Sequence, residues 1–132
     1  MLKDSRLIPQ EEQERLLKEY PLYSQDGKKG EAIAVLRLWL ASATYYVLEV
    51  GDLEGDLELF IIYDDGHTTE YGYQLLSELE EASVDVPLYR AEGMEPFTLN
   101  VKTEREKVGP TMIKEIPQLR LFLYRLYNDD LD

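Results

Sequence analysis

The 132-residue sequence contains no cysteine, which excludes disulfides, thiol catalysis and cysteine-ligated zinc or iron–sulfur centres. Its one histidine, His67, cannot by itself supply a metal site with two imidazole ligands. No apolar run approaches the roughly 20 residues that span a bilayer. The opening Met1-Leu2-Lys3-Asp4-Ser5-Arg6 has no apolar stretch of the kind a secretory signal carries. The expectation is a cytoplasmic protein without membrane contact. The eight glycines are scattered and form no phosphate-cradling loop. Nothing marks a catalytic nucleophile, because Gly-x-Ser-x-Gly is missing. Bases are scarce as well: 14 Lys and Arg face 27 Asp and Glu, a net charge of −13. Direct nucleic-acid binding is therefore disfavoured, since its affinity depends on cations neutralising phosphates.

The sequence does hold 44% hydrophobic residues and a length suited to one domain over residues 1–132. Its charge is concentrated. The 47 residues from Glu49 to Glu95 carry fourteen of the 27 acids and one base, Arg90, so the remaining thirteen acids meet thirteen bases. The whole net charge belongs to the middle of the chain. That exceeds what solubility needs, a magnitude of about 2–8 for a small domain, and it adds self-repulsion. One reading is a well-solvated acidic surface. The alternative is that the acidic segment meets something cationic, either a basic protein surface or metal ions.

The pattern predicts an α+β fold. Pro9, with Glu11 and Glu12 behind it, suits the start of a helix over 9–20 that Pro21 ends. Four strand-like runs follow, at about 31–40, 44–50, 57–63 and 68–74, joined by linkers too short for parallel crossovers. Asp65-Gly66 between the last two is a hairpin signal. The expectation is a four-stranded antiparallel meander flanked by the N-terminal helix, a short middle helix at about 76–83 and a C-terminal helix at about 117–128. In the middle helix Glu78 and Glu81, followed by Asp85, share the outer side by their spacing. Residues 84–96 read as a loop, 97–102 as a further short strand, and 104–109 as a charged break.

The candidate sites are acidic. Asp52-Leu-Glu54-Gly-Asp56-Leu-Glu58 resembles a calcium loop, yet it lacks the glycine at position six and the bidentate Glu at twelve, where Leu57 and Tyr63 stand. If extended, it would set four carboxylates on one face about 6.6 Å apart. Such a row resembles a phosphate backbone in its repeated anions, and it also protects a sheet edge from pairing. Asp64, Asp65, Glu70, Glu78, Glu81 and Asp85 extend the candidate partner-binding set. His67 beside Asp64 and Asp65 is the one possible imidazole base, which defines the alternative of a small metal-dependent hydrolase. With 27 acids some carboxylate pair always lies close, so no catalytic residue, metal ligand or cofactor is assigned. Ten tyrosines, five of them (Tyr45, Tyr46, Tyr63, Tyr71 and Tyr73) on expected strands, suit sheet packing or a docking face for arginine-rich partners.

Leu7-Ile8-Pro9, Pro21-Leu22-Tyr23-Ser24, Tyr45-Tyr46, Gly72-Tyr73 running into Leu76-Ser77-Glu78-Leu79-Glu80, and Leu88-Tyr89-Arg90 before Glu95-Pro96 occur in an order that resembles a domain-of-unknown-function family of short bacterial, plasmid and phage proteins. The resemblance covers about residues 7–99, leaves 101–132 as a C-terminal extension, and implies a small α+β domain in a mobile-element setting. It implies no catalytic residue. With the charge, it leads to the expectation of a non-enzymatic acidic inhibitor, of anti-restriction or anti-CRISPR type, that blocks the basic nucleic-acid-binding surface of a host defence nuclease. An accessory domain with no specific partner is the remaining alternative.

Overall fold

A computed structural model describes residues 2–88, 93 and 97–127. In chain order these form α1 (Gln10–Glu19), β1 (Ile33–Ala34), β2 (Leu36–Leu40), β3 (Ala43–Leu53), β4 (Asp56–Asp64), β5 (Thr69–Leu75), α2 (Leu76–Glu81), β6 (Ser83–Leu88), β7 (Phe97–Lys102), β8 (Glu104–Arg105), β9 (Thr111–Met112) and α3 (Arg120–Tyr127), with short 3-10 turns before β1 and α3. The class is α+β. Glu11 and Glu12 stand in the first turn of α1 and Lys18 in its last, each where the helix dipole favours its charge.

The main sheet is five-stranded, in the order β5-β4-β3-β2-β8, rather than the expected four-stranded meander. β2 to β5 do follow one another as antiparallel neighbours. The charged stretch read as a break supplies the fifth strand, pairing Leu38 with Arg105 and Trp39 with Glu104. It can do so because Glu12 on α1 takes up the Arg105 guanidinium with both carboxylate oxygens, the longer contact being 2.7 Å. The first expected strand is split at Val35, where β1 turns away to pair with β9.

The first five residues of the expected 84–96 loop, 84–88, are also strand. β6 pairs with β7 in a separate ribbon that matches Val84 with Val101, Val86 with Leu99 and Leu88 with Phe97. Asp85 and Pro87 hid this apolar alternation. Pro87 is tolerated because both ribbon edges are open. The middle helix stops at Glu81, so Asp85 lies on β6 and does not share a helix face with Glu78 and Glu81. The C-terminal helix is described to Tyr127. Its expected end at 128 and the acidic residues 129–132 lie outside the described residues, as do Glu92 and Glu95.

Each face of the sheet has its own core. On one, Leu16 of α1 and Leu76 and Leu79 of α2 pack with Leu36, Leu38, Val47, Val50, Leu57, Leu59 and Ile61. On the other, Leu119 and Leu123 of the C-terminal segment pack with Tyr46, Leu48 and Ile62. A β-bulge decides how β3 divides between them. Val47 pairs with Ile61 and Glu49 with Phe60, leaving Leu48 as the extra residue. Beyond the bulge the alternation is inverted. Val50 joins Val47 in the helix-α1 core, and Glu49 turns to the α3 side with Leu48 and Phe60. The bulge lies where β2 leaves β3 and the chain after α1 replaces it, with Val50 N–H donating to the Tyr20 carbonyl at 2.9 Å.

The Glu12–Arg105 pair ties β8 to α1 and makes stability depend on pH. The Arg105 hydrogen bonds, first among several influences, hold the Glu12 carboxyl below its ordinary 4.5. A depressed folded-state value means that the pair's contribution is present above the unfolded value and is lost as pH falls through the folded one. Urea midpoints of the wild type and Glu12→Gln should differ at pH 7 and converge below pH 4.

Candidate protein-interaction surface

The ten acids expected to form one surface are not brought together. Glu54 and Gly55 both have positive φ, 52° and 91°, the two-residue turn whose twist matches a hairpin. The chain reverses there, so Asp52 lies opposite Leu57 and Leu53 opposite Asp56. The expected row from Asp52 to Glu58 does not exist. Asp52 accepts the Gly55 N–H at 2.8 Å, and Asp56 accepts the Ser77 N–H at 3.2 Å and its hydroxyl at 2.5 Å, capping α2.

Asp64 and Asp65 stand at the opposite end of β4, about 27 Å away at strand rise. Asp64 accepts the Gly66 N–H and the Thr69 hydroxyl, both at 3.1 Å. Asp65 accepts the N–H groups of Thr68 and His67, which hold its carboxyl below the usual range. Glu70 lies opposite Tyr63 on the α1 side of the sheet. Glu78 accepts the Leu75 N–H, and Asp85 accepts from Asn100. Six of the ten thus serve turns, helix starts or the ribbon. His67 is exposed on its turn, and among the described residues no three His, Asp or Glu side chains converge to hold a metal. The hydrolase alternative has no assembled centre there.

A different group does come together, on the half of the α3-side face that α3 leaves open. Its floor is aromatic. Phe60 stacks parallel to Tyr71 at 5.4 Å between centroids and meets Tyr73 at 5.1 Å. The hydroxyls of Tyr71 and Tyr127 are 2.9 Å apart, at the end of α3. Burial and that hydrogen bond push the Tyr71 phenol far above its ordinary value. Tyr73 is 54% exposed and Tyr23 68%.

The walls carry carboxylates. Glu49 is 3% exposed and accepts the backbone N–H of Tyr23 at 2.7 Å and of Gln25 at 2.8 Å. The loop over 21–27 reaches it because Leu22 packs on Gly51, where a Cβ would stand 2.7 Å from Leu22 Cδ1. Gln25 fixes the loop in turn, bonding the Ile33 N–H and carbonyl and the Leu48 carbonyl. Partial desolvation and then the negative field of Tyr23, Glu49, Glu58 and Asp26 raise the Tyr73 phenol. Between them lies a depression of about 290 Å³ lined by Asp26, Glu49, Phe60, Tyr71 and Tyr127 among others. The Lys29 ammonium lies 5.9 Å from the Tyr127 ring centroid at its edge, so this aromatic wall already receives one cation.

No family model, curated protein or solved structure matches the chain. Of the ten candidate acids only Glu58 belongs to this surface, and of the five candidate tyrosines Tyr71 and Tyr73 do. Asp26, Glu49 and Tyr23 were missed. Strict alternation along 44–50 would bury Glu49 among Tyr45 and Val47, so a charge at an apparent core position was the one available signal.

Proposed function

We propose that the chain is a non-enzymatic interaction protein that binds a cationic surface of another protein. The observation that carries this reading is the uncovered half-face on which the exposed Asp26 and the half-buried Glu58 flank Phe60, Tyr71 and Tyr73, with the buried Glu49 adding its field from below. Guanidinium and ammonium groups gain both from stacking on aromatic faces and from carboxylates beside them. The remaining acids, spread over both ends of the sheet, add a long-range field that speeds encounter with a basic partner.

The finer reading is an inhibitor acting by occlusion. A groove lined by Lys and Arg on a nucleic-acid enzyme, such as a defence nuclease, would be occupied in place of its nucleic acid. The family resemblance and the charge concentrated in 49–95 support it.

Fluorescence anisotropy with a labelled nona-arginine peptide tests the binding. The dissociation constant should rise at least about tenfold between 50 and 300 mM salt, and Glu58→Lys should weaken binding at low salt by about the same factor. Salt-independent affinity, or a Glu58→Lys protein that binds as well as wild type, overturns the reading. Competition with DNA for a basic nuclease domain then tests occlusion.

A further inference from the structure

β5 is the outer strand of the main sheet, and the turn before it fixes which of its backbone groups face outward. The Asp65 N–H donates to the Thr68 carbonyl at 3.2 Å. Bonded pairs in an antiparallel ladder alternate, so Tyr63–Glu70, Ile61–Gly72 and Leu59–Gln74 exchange hydrogen bonds. The N–H and C=O groups of Tyr71 and Tyr73, and the N–H of Leu75, point away from β4. Leu75 agrees with this phase, since its N–H is taken by Glu78 Oε1 at 3.1 Å. Nothing among the described residues takes the outward groups of Tyr71 and Tyr73.

The usual protections of an edge strand are missing as well. Over its seven residues β5 has no proline, no lysine and one charge, Glu70. The opposite edge of the sheet is the two-residue β8, and the β6–β7 ribbon carries Asp85, Pro87 and Lys102. The α1-side face at β5 is also uncovered: a Cβ at Gly72 would meet nothing within 4 Å, and a shallow depression of about 210 Å³ there is lined by Tyr45, Ile61, Tyr63, Glu70, Gly72 and Gln74.

We infer that β5 is a docking edge, at which an extended basic segment of the partner adds as a sixth strand. The inference rests on the cationic partner proposed above and specifies its form. A strand beside β5 would send alternate side chains over the face that carries Tyr71, Tyr73 and Glu58, and main-chain hydrogen bonds would supply register. Charge selects the occupant. A second copy would bring a net charge of −13 against an equal charge, which opposes self-association. Lysine or arginine at every second position would place its cations on the face of Tyr71, Tyr73 and Glu58.

The test uses an acetylated nine-residue peptide of alternating Lys and Thr, and a twin of the same sequence with every backbone nitrogen methylated. The charge is equal, but the twin cannot donate to a strand. The unmethylated peptide should bind at least about tenfold tighter, and it should slow hydrogen exchange at the Tyr71 and Tyr73 amides. Equal binding of the two peptides overturns the edge while leaving the cationic-partner reading intact. Binding of neither at low salt overturns both. Tyr71 and Tyr73 amides already protected in a dimeric free protein would assign the edge to a second copy and overturn the basic occupant.

Discussion

Glu49→Ala should lower the free energy of unfolding by about 3 kcal/mol, because two backbone donors lose their acceptor in a site closed to water. The Tyr23 and Gln25 N–H groups meet in that loop on one carboxylate, each contact under 2.9 Å. The side chain is 3% exposed, so no solvent replaces it without opening the loop. Glu49→Gln keeps an acceptor oxygen for one donor but turns an NH₂ toward the other. It should recover less than half of the loss. Urea denaturation of the three proteins checks the order. An alanine variant as stable as wild type would mean that the loop is not held by this carboxylate. The loop also places Tyr23 and Asp26, so the alanine variant should lose peptide binding beyond what one missing charge explains.

Leu123→Ala should cost about 3 kcal/mol, the typical loss for a buried leucine that leaves a cavity. Leu123 is 0% exposed and meets the α3-side core, whereas Leu121, two residues earlier on the same helix, is 59% exposed. Leu121→Ala should change stability by no more than about 0.5 kcal/mol. The contrast tests the rotational setting of α3. A second readout follows from the Tyr71–Tyr127 hydroxyl pair at 2.9 Å. Loosening α3 re-exposes Tyr71, so its phenol should titrate closer to the ordinary tyrosine range in Leu123→Ala than in wild type. Matching losses for the two variants would contradict the helix orientation.

Local chemistry carried much of the fold. Pro9 and the acids behind it mark α1, and the Asp65-Gly66 turn closes the β4–β5 hairpin. The strand runs at 44–50 and 57–63 sit inside β3 and β4, and that at 68–74 coincides with β5 to within one residue at each end, because β-branched and aromatic residues fill each pleat. The errors lie where pairing joins distant segments. Glu104 and Arg105 become strand only against β2 and only with Glu12 near enough to take the guanidinium. Ser83–Leu88 is a strand because Phe97–Lys102 returns beside it.

The candidate surface was legible in kind but not in place. Tyrosines among carboxylates were visible along the chain. A row from Asp52 to Glu58 requires a straight strand through Glu54-Gly55, whose positive φ values instead turn the chain back on itself. The amino-acid order by itself determined the charge map, the hairpin turns and the α+β class, since each follows from neighbours in sequence. Only the tertiary structure decided that Glu49 leaves one core and faces the other. That choice follows from a single extra residue at Leu48, placed where β2 departs and the chain after α1 takes its position. A period of two has no memory across such an insertion, so every side chain beyond it changes face.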